Sequence, residues 1–137
     1  MGASQVNANG LISLQSTFGH GETMARLETA IRANGMRLLS LIDYGAAAIE
    51  AGVTLRPTVV FLFGNIRVLA PLLDTFQQVA LDASLKALVW QDETGETWLS
   101  YEDPHRLDCR DGLGQGADMS SVAALMDAVA RKAASPP

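Results

Sequence analysis

The stretch "VVFLFGN", Val59–Asn65, decides how the chain is read. It carries no charge, and its apolar side chains fall on both alternating faces: Val60 and Leu62 on one, Val59, Phe61 and Phe63 on the other. A strand with one wet face alternates apolar with polar residues. A run that is apolar on both faces marks a strand covered above and below. The reading is a central strand over Pro57–Phe63. Pro57 has no N–H to give to a ladder, so it fits only at the strand's start.

Outward from this strand, the pattern changes period several times. On the N-terminal side, "MRLLSLIDY" gives a strand from Met36 to about Asp43, and "GAAAIEAG" gives a short helix or helical turn. Before them, Ile12, Leu14, Ser16 and Phe18 alternate with a largely polar set, as in a strand with one wet side. "GHGETMARLETAIRANG" places Met24, Leu27 and Ile31 on one helical stripe, with Gly19 as the N-cap and Gly35 as a left-handed stop.

On the C-terminal side, Pro71 suits the first turn of a helix, which predicts a start near Ala70 and a stripe of Leu72, Leu73, Phe76 and Val79. "LKALVWQDETGETWLSYED" reads as a hairpin turning at Glu93–Thr94–Gly95. Its register sets Trp90 against Trp98, Val89 against Leu99, Ala87 against Tyr101 and Lys86 against Glu102. "PHRLDCRDGLGQGAD" reads as a loop, and Ser120–Ala133 as a closing amphipathic helix carrying Val122, Leu125, Met126 and Val129. The order β-α-β-(α)-β-α-β-β-α predicts an α+β domain over residues 10–134, one mixed or antiparallel sheet packed with helices, behind a disordered tail at 1–9.

The 137 residues are one domain's worth, enough to bury a core without a disulfide or metal staple. A net charge of −5 argues against binding a nucleic-acid backbone or an anionic membrane, both of which want a basic face. The single cysteine, Cys109, rules out an internal disulfide and fits a reducing compartment. The N-terminus has no basic region followed by an apolar core, and no apolar run nears the ~20 residues that span a bilayer. The expectation is a soluble, cytoplasmic protein.

Five stretches now come together in order: "IDY" at Ile42–Tyr44, "LRPT" at Leu55–Thr58, "FGN" at Phe63–Asn65, "ALDASLKALVW" at Ala80–Trp90 and "SYEDP" at Ser100–Pro104. From about Gly10 to Gly112 the chain resembles the prokaryotic family called domain of unknown function 302. The resemblance implies a small α+β domain, commonly a homodimer, with no settled activity. Two positions depart from that family's usual pattern: Tyr44 stands where a histidine often follows the aspartate, and Ile66 where a proline often follows "FGN".

The polar residues inside these stretches are Asp43, Arg56, Asn65, Asp82, Lys86 and Tyr101. Most fall at expected strand ends, where polar groups meeting on one rim of a sheet often bind ligands. Arg56 or Lys86 could meet a small anion while Asp43 and Asn65 orient it. The same residues could equally be structural, with Arg56 paired to an aspartate, Asn65 shaping a turn and Lys86 facing Glu102. A catalytic alternative is a hydrolase or isomerase using Asp43 and Lys86 as acid and base. A third is a structural protein–protein interaction module.

His20, His105 and Cys109 fall short of the four ligands a structural zinc needs, so no metal and no cofactor is expected. Leu88, Trp90 and Trp98 share one hairpin face and are the candidates for a dimer interface.

Overall fold

The computed structural model describes residues 4–6, 10–81, 83–104 and 119–136. In chain order these form β1 (Ser4–Val6), β2 (Leu11–Gln15), α1 (His20–Ala33), β3 (Arg37–Asp43), α2 (Tyr44–Glu50), β4 (Thr58–Gly64) and α3 (Ile66–Thr75). A 3₁₀ turn (Gln77–Leu81), β5 (Leu85–Gln91), β6 (Thr97–Glu102) and α4 (Met119–Ala134) follow. All strands join one sheet in the order β1-β2-β6-β5-β4-β3, and every neighbouring pair is antiparallel. The expected α+β architecture is present, in its antiparallel form.

Alternation in β4 settles which face is the core. Val59, Phe61 and Phe63 are buried, with Leu14, Ala87, Val89, Leu99 and Tyr101 beside them. Leu27, Ala30 and Ile31 of α1 and Met126, Val129, Ala130 and Ala133 of α4 close over this face. Val60 and Leu62 point the other way and are only half-buried, as are Leu88, Trp90 and Trp98. The strand expected to be central and covered on both sides is thus next to the β3 edge and covered on one side. Its second apolar face is part of an open sheet surface.

Local signals place most helix ends. Gly19 caps α1, and Gly35, at φ +77°, reverses the chain after it, a conformation that costs a Cβ-bearing residue dearly. Asn65 caps α3: its side-chain oxygen accepts from the backbone N–H of Arg67 at 3.0 Å and Val68 at 3.4 Å. That cap starts α3 at Ile66 rather than near Ala70, and leaves Pro71 inside the helix. The cap satisfies orphan N–H groups at once, which outweighs the preference of proline for a first turn.

Ser4–Val6, expected within the tail, pairs with Leu14–Ile12 as a sixth strand. The loop read over residues 105–118 lies outside the described residues, and His105 and Cys109 with it.

The end of α4 is tied to the junction between β2 and α1. Thr17 N–H donates to the Ala134 carbonyl at 2.8 Å and its hydroxyl at 3.2 Å. Arg26, lying 4.1 Å over the Phe18 ring, donates to the carbonyls of Lys132 and Ser135.

Candidate functional site

The strand register shows which candidate residues meet. Asp43 lies opposite Val59 and Lys86 opposite Leu62. Three residues along β4 and two strand spacings across the sheet separate them by about 14 Å. Asp43 and Lys86 therefore cannot exchange a proton directly, and the acid–base pair of the catalytic alternative does not assemble. Asp43 instead caps α2, accepting from Ala46 N–H at 2.9 Å.

Arg56 sits at Asp43's end of β4. It faces Glu93 of the hairpin turn at 4.0 Å, with both side chains more than half exposed. Asn65 lies beyond the other end, about 20 Å along the strand from Val59, the register partner of Asp43. It borders a shallow depression with Arg37 and Arg67. The shared rim is thus divided between two ends of the sheet. Asp82 lies outside the described residues.

Lys86 and Tyr101 do come together. The hairpin pairs as expected at Trp90–Trp98 and Val89–Leu99, and the ladder ends at Leu88–Ser100. Beyond it the expected partners Ala87–Tyr101 and Lys86–Glu102 are not laddered. β6 stays paired with β2 through Leu11–Glu102, and β5 with β4 through Leu85–Phe63. Where β5 and β6 part, a cleft of about 240 Å³ opens. Leu11, Val60, Leu88 and Met126 give it apolar walls, and Ser84, Lys86, Ser100, Tyr101 and Glu102 its polar groups. Among the described residues Lys86 is the cation lining the cleft, and none of them forms an ion pair with it.

Two groups near the hairpin titrate away from their ordinary values. Burial pushes the Tyr101 phenol up to about 12, assisted by the negative charge of Asp127, while Arg131 pulls the other way. Tyr101 enters the cleft as a neutral phenol. At the turn, Asp92 accepts from the Thr94 hydroxyl, the Trp98 indole N–H and backbone N–H groups, which holds its carboxyl down at about 2.

The tryptophans form a platform on the open face. Their rings stack at 6.0 Å and 20°. Trp98 donates to Asp92 at 2.9 Å, and Trp90 donates to the Ser100 hydroxyl at 2.9 Å. Ser100 in turn meets the Ser13 hydroxyl at 2.7 Å. Sequence reasoning missed Ser84, Ser100 and Met126. Ser100 had one signal, its hairpin position opposite Leu88 on the tryptophan face. The parting of the strands had none.

Comparison with known proteins gives three findings. The family described as "Domain of unknown function DUF302" matches residues 12–133. A crystal structure of an uncharacterized conserved DUF302 protein from Bacillus stearothermophilus aligns with a TM-score of 0.74 at 20% identity, over 92% of this chain and 99% of that one. Proteins named fluoride-specific ion channel FluC 1 in Brucella suis biovar 1 and Brucella abortus biovar 1 are each 34% identical over 112 residues. That is 82% of this chain but only 44% and 42% of theirs, so the chain spans less than half the length of these relatives. No helix among the described residues is long and apolar enough to cross a membrane.

Proposed function

The chain belongs to the DUF302 family, and from that premise we propose that it is a binding domain for a small organic anion with an apolar body, such as a short carboxylate. The cleft between β5 and β6 is the proposed site. One observation carries the reading: the ladder stops at Leu88–Ser100 and leaves Lys86 beside an apolar-walled opening without an ionic partner among the described residues. A charged group in such a place favours a ligand of opposite sign. The walls favour a ligand with carbon to bury, because each buried CH₂ contributes about 0.8 kcal/mol. Ser84 and Ser100 supply hydroxyls near the charge, and Glu102 on the same wall disfavours a second negative group on the ligand.

Calorimetric titration of acetate, butyrate and inorganic phosphate tests this. Butyrate is expected to bind tighter than acetate, and Lys86→Gln to weaken it by about tenfold or more. Arg56→Ala, at the far end of β4, leaves binding unchanged. Equal binding by wild type and Lys86→Gln, or no binding of any of the three anions, defeats the reading.

The names of the Brucella relatives favour a second reading, in which the domain serves fluoride handling alongside a separate channel-forming segment. Titration with fluoride, together with fluoride tolerance of cells with and without the chain, tests it. No fluoride binding and no change in tolerance count against it.

A further inference from the structure

The cleft at Lys86 has two levels. Side chains alternate between the two faces of a strand, so Lys86 and Leu88 stand on the open face and Ala87 on the core face. Across the gap Ser100 stands on the open face and Tyr101 on the core face. All five line the cleft, and Met126 of α4 lines it from the helix side. An opening lined from both faces passes between the strands instead of lying on the sheet. Its inner end is closed, since Ala87, Tyr101 and Met126 are each only 2% or 3% exposed. The Leu88–Ser100 rung bounds it at one end, and the fully buried Pro104 lines it beyond Glu102. The result is a narrow slot, polar at its mouth and apolar at its floor.

The backbone adds a second donor at the mouth. Gln91 N–H donates to the Pro57 carbonyl at 3.1 Å, ahead of β4, and Asp92 N–H donates to the Glu96 carbonyl at 2.9 Å. Backbone groups alternate sides along an antiparallel strand, so the odd-numbered residues of β5 turn toward β4 and the even-numbered ones toward β6. Lys86 N–H therefore points into the gap, where the next rung of the ladder is not made. An oxygen seated there meets that N–H as well as the ammonium, and a carboxylate has two oxygens to offer.

Given the anion-binding reading of this cleft, we propose that it is a slot through the sheet for an unbranched carboxylate bound end-on, its head at Lys86 and its carbon chain passing between β5 and β6 to Met126. The strands leave no room for a branch next to the carboxylate, and Met126 sets the length. At about 30 Å³ for each water-sized atom, a volume of about 240 Å³ holds about eight, which is the size of hexanoate.

Calorimetric titration of acetate, butyrate, hexanoate, octanoate, decanoate and the branched pivalate tests this on wild type. Affinity is expected to rise about fourfold for each carbon up to hexanoate and then to stop rising. Pivalate is expected to bind no tighter than acetate. In an NMR spectrum of protein labelled at its methionine methyl groups, with Met126→Leu as the assignment control, the terminal methyl of bound hexanoate is expected to show a nuclear Overhauser contact to Met126. A folded Met126→Ala variant is expected to move the preferred length to octanoate. The slot is overturned by affinity that climbs evenly through decanoate, by pivalate matching butyrate, by an unmoved length preference in folded Met126→Ala, or by contacts to Leu88 and Trp90 in place of Met126. In each of those cases binding that depends on Lys86 still stands, whereas loss of that dependence removes the anion site and the slot together.

Discussion

Replacing Ser100 with alanine tests how the open sheet face is organised. Ser100 is 3% exposed, and its hydroxyl serves two partners, accepting from the Trp90 indole and meeting Ser13. Ser100→Ala removes both contacts and leaves the half-buried indole N–H without its acceptor. An ordinary hydrogen bond contributes about 1 kcal/mol, and an unsatisfied partner in partial burial costs about 1–3 kcal/mol, so the expected loss is about 2 kcal/mol. Ser13→Ala removes only the outer bond and leaves Trp90–Ser100 intact, for about 0.5–1 kcal/mol. The double variant should cost little more than Ser100→Ala alone, because the outer bond no longer exists to be lost.

The assay is urea unfolding followed by tryptophan fluorescence. Near-ultraviolet circular dichroism reports the stacked indoles separately. Equal losses from the two single variants, or full additivity in the double, would refute the proposed chain of Trp90 to Ser100 to Ser13. An unchanged near-ultraviolet spectrum in Ser100→Ala would separate the hydrogen bond from the orientation of the ring.

Asn65→Ala removes the α3 cap and should lower stability by about 1 kcal/mol, while Asn65→Asp should be close to neutral because a carboxylate also caps and favours the helix N-terminus; thermal melting of both variants checks this. Tyr101 sets an alkaline limit. Its folded-state value is raised to about 12 from 10.0, so the unfolded chain gives up its proton first. Stability is then unaffected by this group below pH 10 and falls by up to about 2 kcal/mol as pH rises toward 12. Tyr101→Phe should remove that fall in denaturant titrations across this range. Asp92 acts with the opposite sign: its depressed value stabilises the hairpin above its ordinary 3.8, and that contribution is lost as pH drops toward about 2. Asp92→Asn should flatten the acid limb of the same titration.

Much of the fold was legible because each signal was local. Gly35 needs a left-handed conformation, Gly95 at φ +88° closes the hairpin, and the stripe Leu27–Ile31 faces the core as its spacing dictates. The two-faced run of β4 identifies a strand but not what covers it. Apolar residues on two faces say that both faces avoid water, not whether the second is covered by a helix of the same chain or left open. Asn65 was ambiguous for a similar reason, since a turn, a ligand contact and a helix cap all use the same side chain.

The site was harder. Asp43, Arg56, Asn65 and Lys86 lie at strand ends, as their positions suggested, and only the register of β3, β4 and β5 separates them into two groups. Where two strands stop pairing depends on what each bonds to on its other side, and a single hairpin's letters do not carry that. Lys86–Glu102 is a good pair by charge and spacing. β5 and β6 are held apart at that point by their ladders to β4 and β2.

The knot of bonds joining Thr17 and Arg26 to the last turn of α4 bears on how the molecule comes into being at the ribosome. Met126, Val129, Ala130 and Ala133 supply a wall of the interior and emerge after every described strand has been made. Until they arrive, α1 and the sheet can assemble only as a half-roofed intermediate showing a greasy ceiling to solvent. Final closure is therefore a late, long-range event, and a delay in making that helix prolongs the interval in which a chaperone would find something to hold.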